Sequence, residues 1–179
     1  MVVGALHDPF HTIHMGVTAE NVAAKYGITR EMQDALAVES HNRAQRATAA
    51  GYFKDQIVPV TLKSKKGEVA WATDEHFRPD CKLEDMAKLK PVFIKENGTV
   101  TAGNASGIND AAAAVVLMEA GAAKARGAKP LARLVGYAHT GLDPKIMGVG
   151  PISATQAVLK KTGLTVNDLD VIEANEAFA

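Results

Sequence analysis

The chain has 179 residues, of which 47% are hydrophobic and 22% are charged, and twenty basic side chains balance twenty acidic ones. This composition is that of a packed globular protein and argues against a disordered chain. A net charge of zero gives no electrostatic case for binding nucleic acid or an anionic membrane, and the sequence has neither a signal-peptide pattern nor an apolar run long enough to cross a bilayer.

Two helices are predicted near the start of the chain. Residues 18–27 suggest a short helix that is capped by Thr18 and ended by Gly27. A longer helix is expected to begin after an N-cap at Thr29 and to close at Gly51. Its predicted apolar face carries Met32, Leu36 and Ala37.

A β-hairpin and a short helix are predicted next. Residues 57–62 and 68–73 read as two strands, and the basic segment 63–67 forms the turn between them. Residues 83–89 suggest one short helix. The chain becomes rich in glycine and alanine after Gly98, where we place a domain boundary.

The second half of the chain predicts strands alternating with helices. Residues 115–118 suit a buried strand or a helical segment, and periodicity does not decide between them. Helices are expected at 119–126 and 151–161, and strands at 131–137 and 170–174. This order indicates a layered α/β architecture with a mixed sheet.

The two ends of the chain suggest a piece of a longer protein. Residues 171–179 read as a buried strand that runs into a polar turn, and such a strand needs neighbours on both sides. Met1 could therefore be an internal methionine.

The chain has one cysteine, Cys81, which excludes an internal disulfide. A reactive thiol would need exposure and a basic partner. Its polar surroundings, Asp80 and Lys82, favour an ordinary loop residue over a nucleophile.

Residues 101–110 form the first segment with a composition suited to ligand binding. Gly103 and small neighbours such as Ala102 allow the backbone to approach a ligand closely, and Asn104 and Ser106 add hydrogen-bonding groups. A turn-rich connection without function is the alternative interpretation.

Other polar residues are weaker candidates. Asn175 follows a predicted strand, so its amide could stabilise an oxyanion or only cap a helix. His14 could titrate near neutrality or be a packed residue. His7, His11 and His14 have near-helical spacing, but no carboxylate or cysteine set completes a metal site, so we predict none.

Taken together, four segments in this order resemble the thiolase family: residues 14–21, 99–110, 143–151 and 173–179. The similarity covers essentially the whole chain, and residues 51–60 are similar to bacterial β-ketothiolases of the polyhydroxyalkanoate type.

The resemblance implies an α/β, thiolase-like layered fold that is partial and has an inserted mixed α+β loop domain. Residues 1–98 would be the loop domain that binds coenzyme A, 99–133 the end of the N-terminal half, and 134–179 the start of the C-terminal half. It also implies an acyltransferase of fatty acid or polyhydroxyalkanoate metabolism, cytoplasmic and tetrameric, in which two acetyl-CoA condense or a 3-ketoacyl-CoA is cleaved. The thioesters are substrates, and no separate cofactor is implied.

The resemblance also assigns roles to individual residues. Asn175 would position water at an oxyanion hole, and Ser106 would bind the pantetheine arm beside Ala102 and Gly103. Phe178 and Met147 would be walls near the acyl thioester, His14 and Met15 would line the pantetheine tunnel, and Arg78 would pack near the adenine.

The sequence departs from the family pattern in its catalytic residues. The nucleophilic cysteine is expected upstream of Met1, and the second cysteine and the activating histidine downstream of Ala179. Asp85 stands where some relatives have a small hydroxyl residue, and an anion is disfavoured beside CoA phosphate. We therefore expect the isolated chain to be inactive; the alternative is a non-catalytic CoA- or acyl-CoA-binding module of thiolase descent.

Overall fold

The computed structural model describes residues 2–65 and 67–179. The chain divides into two compact units. The first unit comprises Met1–Gly107 together with Asn175–Ala179, and the second unit comprises Ile108–Ala174. The predicted division at 98 and 133 into parts of a larger fold stays a prediction, since contacts within the chain do not identify such parts.

The first unit begins with helices α1 (Val2–Ala5) and α2 (Met15–Tyr26). Helix α2 ends as predicted, with Gly27 in the left-handed region at φ 65°. Its predicted beginning was wrong, because His14 and not Thr18 is the N-cap. The His14 Nδ1 accepts a hydrogen bond from the Gly16 amide at 2.9 Å, whereas the Thr18 hydroxyl donates to the Met15 carbonyl inside the helix.

Helix α3 (Arg30–Ala49) has the predicted cap, since the Thr29 hydroxyl accepts from the Met32 amide at 3.3 Å. Its buried face agrees with the prediction at Ala37 but not at Met32 and Leu36. Met32 and Leu36 are 61% and 43% exposed. The buried residues of this helix are Gln33, Asp34 and Ala37.

The predicted hairpin is confirmed by strands β1 (Val60–Ser64) and β2 (Gly67–Trp71), which pair antiparallel. The register places Val60 opposite Trp71, and the side chains of both strands are exposed. The predicted turn includes Lys66, which lies outside the described residues. The predicted helix after it is shorter than expected and forms α4 (Leu83–Ala87).

The second unit contains α5 (Ala120–Ala125) and α6 (Gly150–Thr162), with 3₁₀ turns at Pro144–Val149 and Val166–Asp168. Both α-helices were predicted, and the glycines expected after them, Gly127 and Gly163, have positive φ.

The strands predicted at 131–137 and 170–174 were wrong, since neither segment carries a strand. Residues 115–118, which the sequence left open between strand and helix, form neither. A strand is defined by hydrogen bonds to a neighbouring strand, and these residues find no such neighbour within the described part of the chain. Their apolar side chains stay exposed, as at Val115 and Val116, which are 81% and 85% accessible.

None of the described helices is long and apolar enough to cross a membrane. Apolar burial in the first unit is concentrated at small and medium side chains, among them Val100 and Met86, which are 2% and 4% exposed. Polar residues are buried beside them: Glu20, Asp34, Thr101 and Asn104. This polar interior positions the site described next.

Candidate functional site

The first unit contains a cavity of about 580 Å³. Volumes of this order suit a ligand of the size of a cofactor or drug. Three parts of the chain form its walls: helix α3 together with the loop 76–81, the α4 region, and the loop 102–107. The lining residues are His41, His76, Arg78, Pro79, Asp80, Cys81, Asp85, Met86, Leu89, Ala102, Gly103, Ala105, Ser106 and Gly107.

Asn104 holds the loop wall in its conformation. Its Oδ1 accepts from the Thr101 amide at 2.7 Å, and its Nδ2 donates to the Thr99 carbonyl at 2.9 Å. The same Nδ2 donates to Oδ1 of Asp34 at 2.9 Å. Because Asn104 is only 3% exposed, these bonds are shielded from competing water.

Glu20 of α2 fixes the segment that leads into this loop. Its carboxylate accepts hydrogen bonds from the Thr99 amide, the Val100 amide and the Thr99 hydroxyl, at distances of 2.7–2.9 Å. Glu20 is 5% exposed, and these charge-assisted bonds compensate the burial of its charge.

The loop that carries Ser106 is bonded to the last residues of the chain. The Ser106 amide donates to the Ala177 carbonyl, and the Ala179 amide donates to the Asn104 carbonyl, both at 2.9 Å. Ala105 and Phe178 thus form an isolated antiparallel bridge. The fold therefore brings the glycine-containing loop next to the segment that begins at Asn175.

The opposite wall of the cavity is held by Arg30. Its guanidinium donates to the Met86 and Leu89 carbonyls at 2.5 and 3.1 Å, and its Nε pairs with Asp34 at 2.7 Å. Gly103 lies against this wall. A Cβ added there would overlap the ends of the Met86 and Leu89 side chains, so these would have to shift to admit a larger residue.

Basic groups cluster at one end of the cavity. The Arg78 amide donates to Nδ1 of His41 at 3.1 Å. Burial lowers the pKa of His41, the nearby His76 and Arg78 lower it further, and Glu176 acts in the opposite direction. His41 is therefore mostly neutral at pH 7, and Arg78 provides a permanent positive charge.

Cys81 lines this cavity but does not have the properties of an activated nucleophile. Burial raises the pKa of its thiol, and the negative charge of Asp85 raises it further. Since the thiolate is the nucleophilic form, this environment favours an ordinary structural residue.

An aromatic stack joins α2 to the end of the chain. The His14 ring stacks on Phe93 with centroids 4.6 Å apart, and Phe93 meets Phe178 edge-on at 6.3 Å. His7 meets His14 edge-on at 5.3 Å. Burial lowers the pKa of His14, and the proximity of His7 lowers it further, so His14 is held neutral as a helix cap.

The structure brings some of the predicted site residues together and leaves others apart. Arg78, Ala102, Gly103 and Ser106 share the cavity. His14 and Phe178 meet through Phe93, and Met15 begins α2. Met147 belongs to the second unit, and Asn175 is exposed in the first, next to Glu176, which accepts a hydrogen bond from Ser40. The roles assigned to all these residues stay predictions.

Sequence reasoning missed the residues that hold the site: Glu20, Arg30, Asp34 and Phe93. The spacing of Arg30 and Asp34 by four residues was a usable signal, because such pairs meet on one helix face. For Glu20 and Phe93 the partners are distant in sequence, and no local pattern reveals them. No cluster of three or more histidine, cysteine, aspartate or glutamate side chains suited to a metal occurs among residues 2–65 and 67–179.

Two family models match the chain. The model described as "Thiolase, N-terminal domain" matches residues 1–121, and "Thiolase, C-terminal domain" matches residues 128–179. Among curated relatives, the beta-ketothiolase BktB of Cupriavidus necator is 68% identical over 179 residues, and an acetyl-CoA acetyltransferase of Chromobacterium violaceum is 56% identical over 180. Both alignments cover 100% of this chain but only 45% and 46% of the relatives.

Solved structures agree with this assignment. An acetyl-CoA acetyltransferase from Bacillus anthracis superposes with a TM-score of 0.90 at 52% identity, covering 99% of this chain and 45% of that one. Human mitochondrial 3-ketoacyl-CoA thiolase in complex with CoA gives a TM-score of 0.84 at 43% identity, covering 98% and 43%. These superpositions confirm the predicted partial α/β fold.

Proposed function

Because the chain belongs to the thiolase family, we propose that it forms the coenzyme A site of an acyltransferase that moves an acetyl or acyl group between CoA thioesters. The reaction is the condensation of two acetyl-CoA to acetoacetyl-CoA and CoA, or the thiolytic cleavage of a 3-ketoacyl-CoA. The names of the relatives support this class of reaction. The chain spans about 45% of their length, so the activity is proposed for the complete protein and not for these residues alone.

The observation that carries the proposal is the cavity that Ser106 and Arg78 share. An extended pantetheine thioester with an adenine nucleotide needs a long site with a hydrogen-bonding group at one part and a planar cation at another. Ser106 supplies the hydroxyl for the pantetheine amides, and Arg78 supplies a guanidinium that can stack on adenine. Ala102, which also lines the cavity, has a small side chain that leaves room for the arm.

Asn175 has the proposed role of an oxyanion-hole residue. Its amide would hold a water or donate directly to the oxygen that becomes negative during acyl transfer. The covalent step needs a thiolate. The protonated Cys81 does not supply it, so the nucleophile in this proposal comes from a cysteine outside the 179 residues. We further propose that the complete protein binds acyl-CoA as a cytoplasmic homotetramer.

Calorimetric titration of the purified chain with CoA tests the binding part of this proposal. We expect saturable binding that R78A weakens by about 2- to 30-fold, the range that corresponds to a cation–π contact of about 0.5–2 kcal/mol. R43A is the matched control, because Arg43 is an exposed arginine of α3 that pairs with Glu39 and does not line the cavity. Absence of CoA binding by the folded chain would contradict the proposal.

A non-catalytic CoA-binding module is the second candidate; like the first, it leaves Cys81 without a catalytic role. The two candidates differ in a direct assay for acetoacetyl-CoA. The chain alone should form none under either candidate. A complete protein that contains these residues should form it only if the first is right. Activity of the chain alone, abolished by C81S, would show that Cys81 is the nucleophile and refute both.

A further inference from the structure

We propose that Arg30 and Asp34, one turn apart on helix α3, are positioning residues that set the separation between the two walls of the cavity. This inference rests on the proposed function, since it assigns the walls to a CoA site. Neither side chain lines the cavity. Both act through the residues that they bind.

Asp34 reaches one wall through Asn104. Its Oδ1 accepts from the side-chain Nδ2 of Asn104 at 2.9 Å, and the Asn104 side chain in turn accepts from the Thr101 backbone amide and donates to the Thr99 carbonyl. Two residues further along, Ser106 lies in the cavity lining. The conformation that presents Ser106 is therefore tied to the carboxylate of Asp34.

Arg30 reaches the other wall through the α4 region. Its terminal nitrogen donates to the Met86 and Leu89 carbonyls, and its Nε donates to Oδ2 of Asp34 at 2.7 Å. The planar guanidinium fork holds these three acceptors in a fixed arrangement, which a lysine ammonium does not do. The side chains of Arg30 and Asp34 are 20% and 6% exposed, so the pair is far less screened by solvent than the surface pairs of the same helix.

The two oxygens of Asp34 thus serve different walls. Oδ2 binds Arg30 and hence the α4 side, while Oδ1 binds Asn104 and hence the loop side. The walls are in close contact, because a Cβ at Gly103 would displace the ends of the Met86 and Leu89 side chains. A shift of either wall therefore changes the width of the cavity beside Ser106.

The test compares D34N with E39Q. The amide side chain introduced by D34N has the same shape as the carboxylate, but it offers one acceptor oxygen where Arg30 and Asn104 each need one. E39Q also removes an α3 carboxylate that pairs with an arginine four residues away, but that pair is exposed. Three quantities are measured: the Kd for CoA, the exchange rates of the Thr101 and Ser106 amides by NMR, and the urea midpoint.

We expect D34N to bind CoA about tenfold more weakly, the change that corresponds to the loss of one well-placed hydrogen bond. The Thr101 and Ser106 amides should exchange faster in D34N under conditions in which the rest of the unit stays protected. E39Q should leave the Kd and both exchange rates unchanged. If D34N does not fold, R30K tests the α4 wall through the Kd for CoA, because it keeps the charge and loses the fork to Met86 and Leu89; an unchanged Kd for R30K would then overturn the inference.

A lowered urea midpoint for D34N with an unchanged Kd and unchanged exchange at Thr101 and Ser106 would overturn the inference and leave the proposed function intact. Equal weakening by D34N and E39Q would also overturn it. If the unmodified chain binds no CoA, the proposed function fails, and the inference is then judged by amide exchange alone. Absence of selective acceleration at the two amides refutes it in that case.

Discussion

Replacing Glu20 by glutamine tests how the carboxylate of α2 stabilises the segment before the cavity loop. Three donors converge on its two oxygens: the Thr99 amide, the Thr99 hydroxyl and the Val100 amide. Glutamine has nearly the same shape but only one acceptor oxygen, and its NH₂ group would face one of the donors. At least one buried donor therefore loses its partner.

The magnitude follows from the burial of the site. A hydrogen bond to a charged group contributes about 1.5–3 kcal/mol, and a buried unsatisfied donor costs about 1–3 kcal/mol. We expect E20Q to lower the free energy of unfolding by roughly 2–3 kcal/mol. For a chain of this size, that corresponds to a decrease of roughly 4–12 °C in Tm.

Thermal and urea unfolding followed by far-UV circular dichroism measure this loss, since α2 and α3 contribute strongly to the signal. E39Q is the control, because Glu39 is exposed on α3 and its carboxylate bonds the surface side chains Arg43 and Arg46. An E20Q variant with the Tm of the unmodified protein would refute the reasoning. It would show that the observed hydrogen bonds to Glu20 are not needed to hold residues 99 and 100.

Two further predictions concern α2. G16A should destabilise the protein by roughly 1–3 kcal/mol, because a Cβ there overlaps the Phe93 ring. Urea unfolding measures this loss, with G4A as the control because a Cβ at Gly4 meets no neighbour within 4 Å. Equal stability of the two variants would contradict the prediction. The lowered pKa of His14 means that the folded state binds fewer protons than the unfolded chain, so stability should fall as pH drops below about 6.5. H14N keeps a capping acceptor and should lose less stability than the unmodified protein between pH 7 and pH 5. If both proteins lost the same stability over this range, His14 would not contribute to the pH dependence.

Local rules explain why much of the helical structure could be predicted from the sequence. The Thr29 cap and the glycines at 27, 127 and 163 act through their nearest neighbours along the chain, so their signals are contained in short windows. The ordered motifs that resemble thiolases likewise needed no structure to identify, and the family matches confirm them.

Long-range partners explain what was missed. Glu20 binds residues 79 and 80 positions away, and Asp34 binds Asn104 70 positions away. Helical periodicity assigns polar residues such as Asp34 to the solvent face and apolar residues to the core. The apolar residues Met32 and Leu36 were therefore predicted to be buried. The strands predicted in the second unit depend on pairing, and a strand pattern alone does not supply a partner. The roles of Ser106, Arg78 and Asn175 depend on their contacts with a bound ligand, so binding measurements test them.

The first unit is built from two separate segments of the chain, and the bridge between Ala105 and Phe178 joins them. The second unit, residues 108–174, lies between these segments in the sequence. The entropy of closing such an intervening segment rises only with the logarithm of its length, so doubling it costs about 0.6 kcal/mol. Insertions within 108–174 should therefore be tolerated by the loop that carries Ser106. During synthesis the same bridge cannot form until residue 178 has left the ribosome, so the loop acquires its final hydrogen bonds after α2 and α3 have already been made.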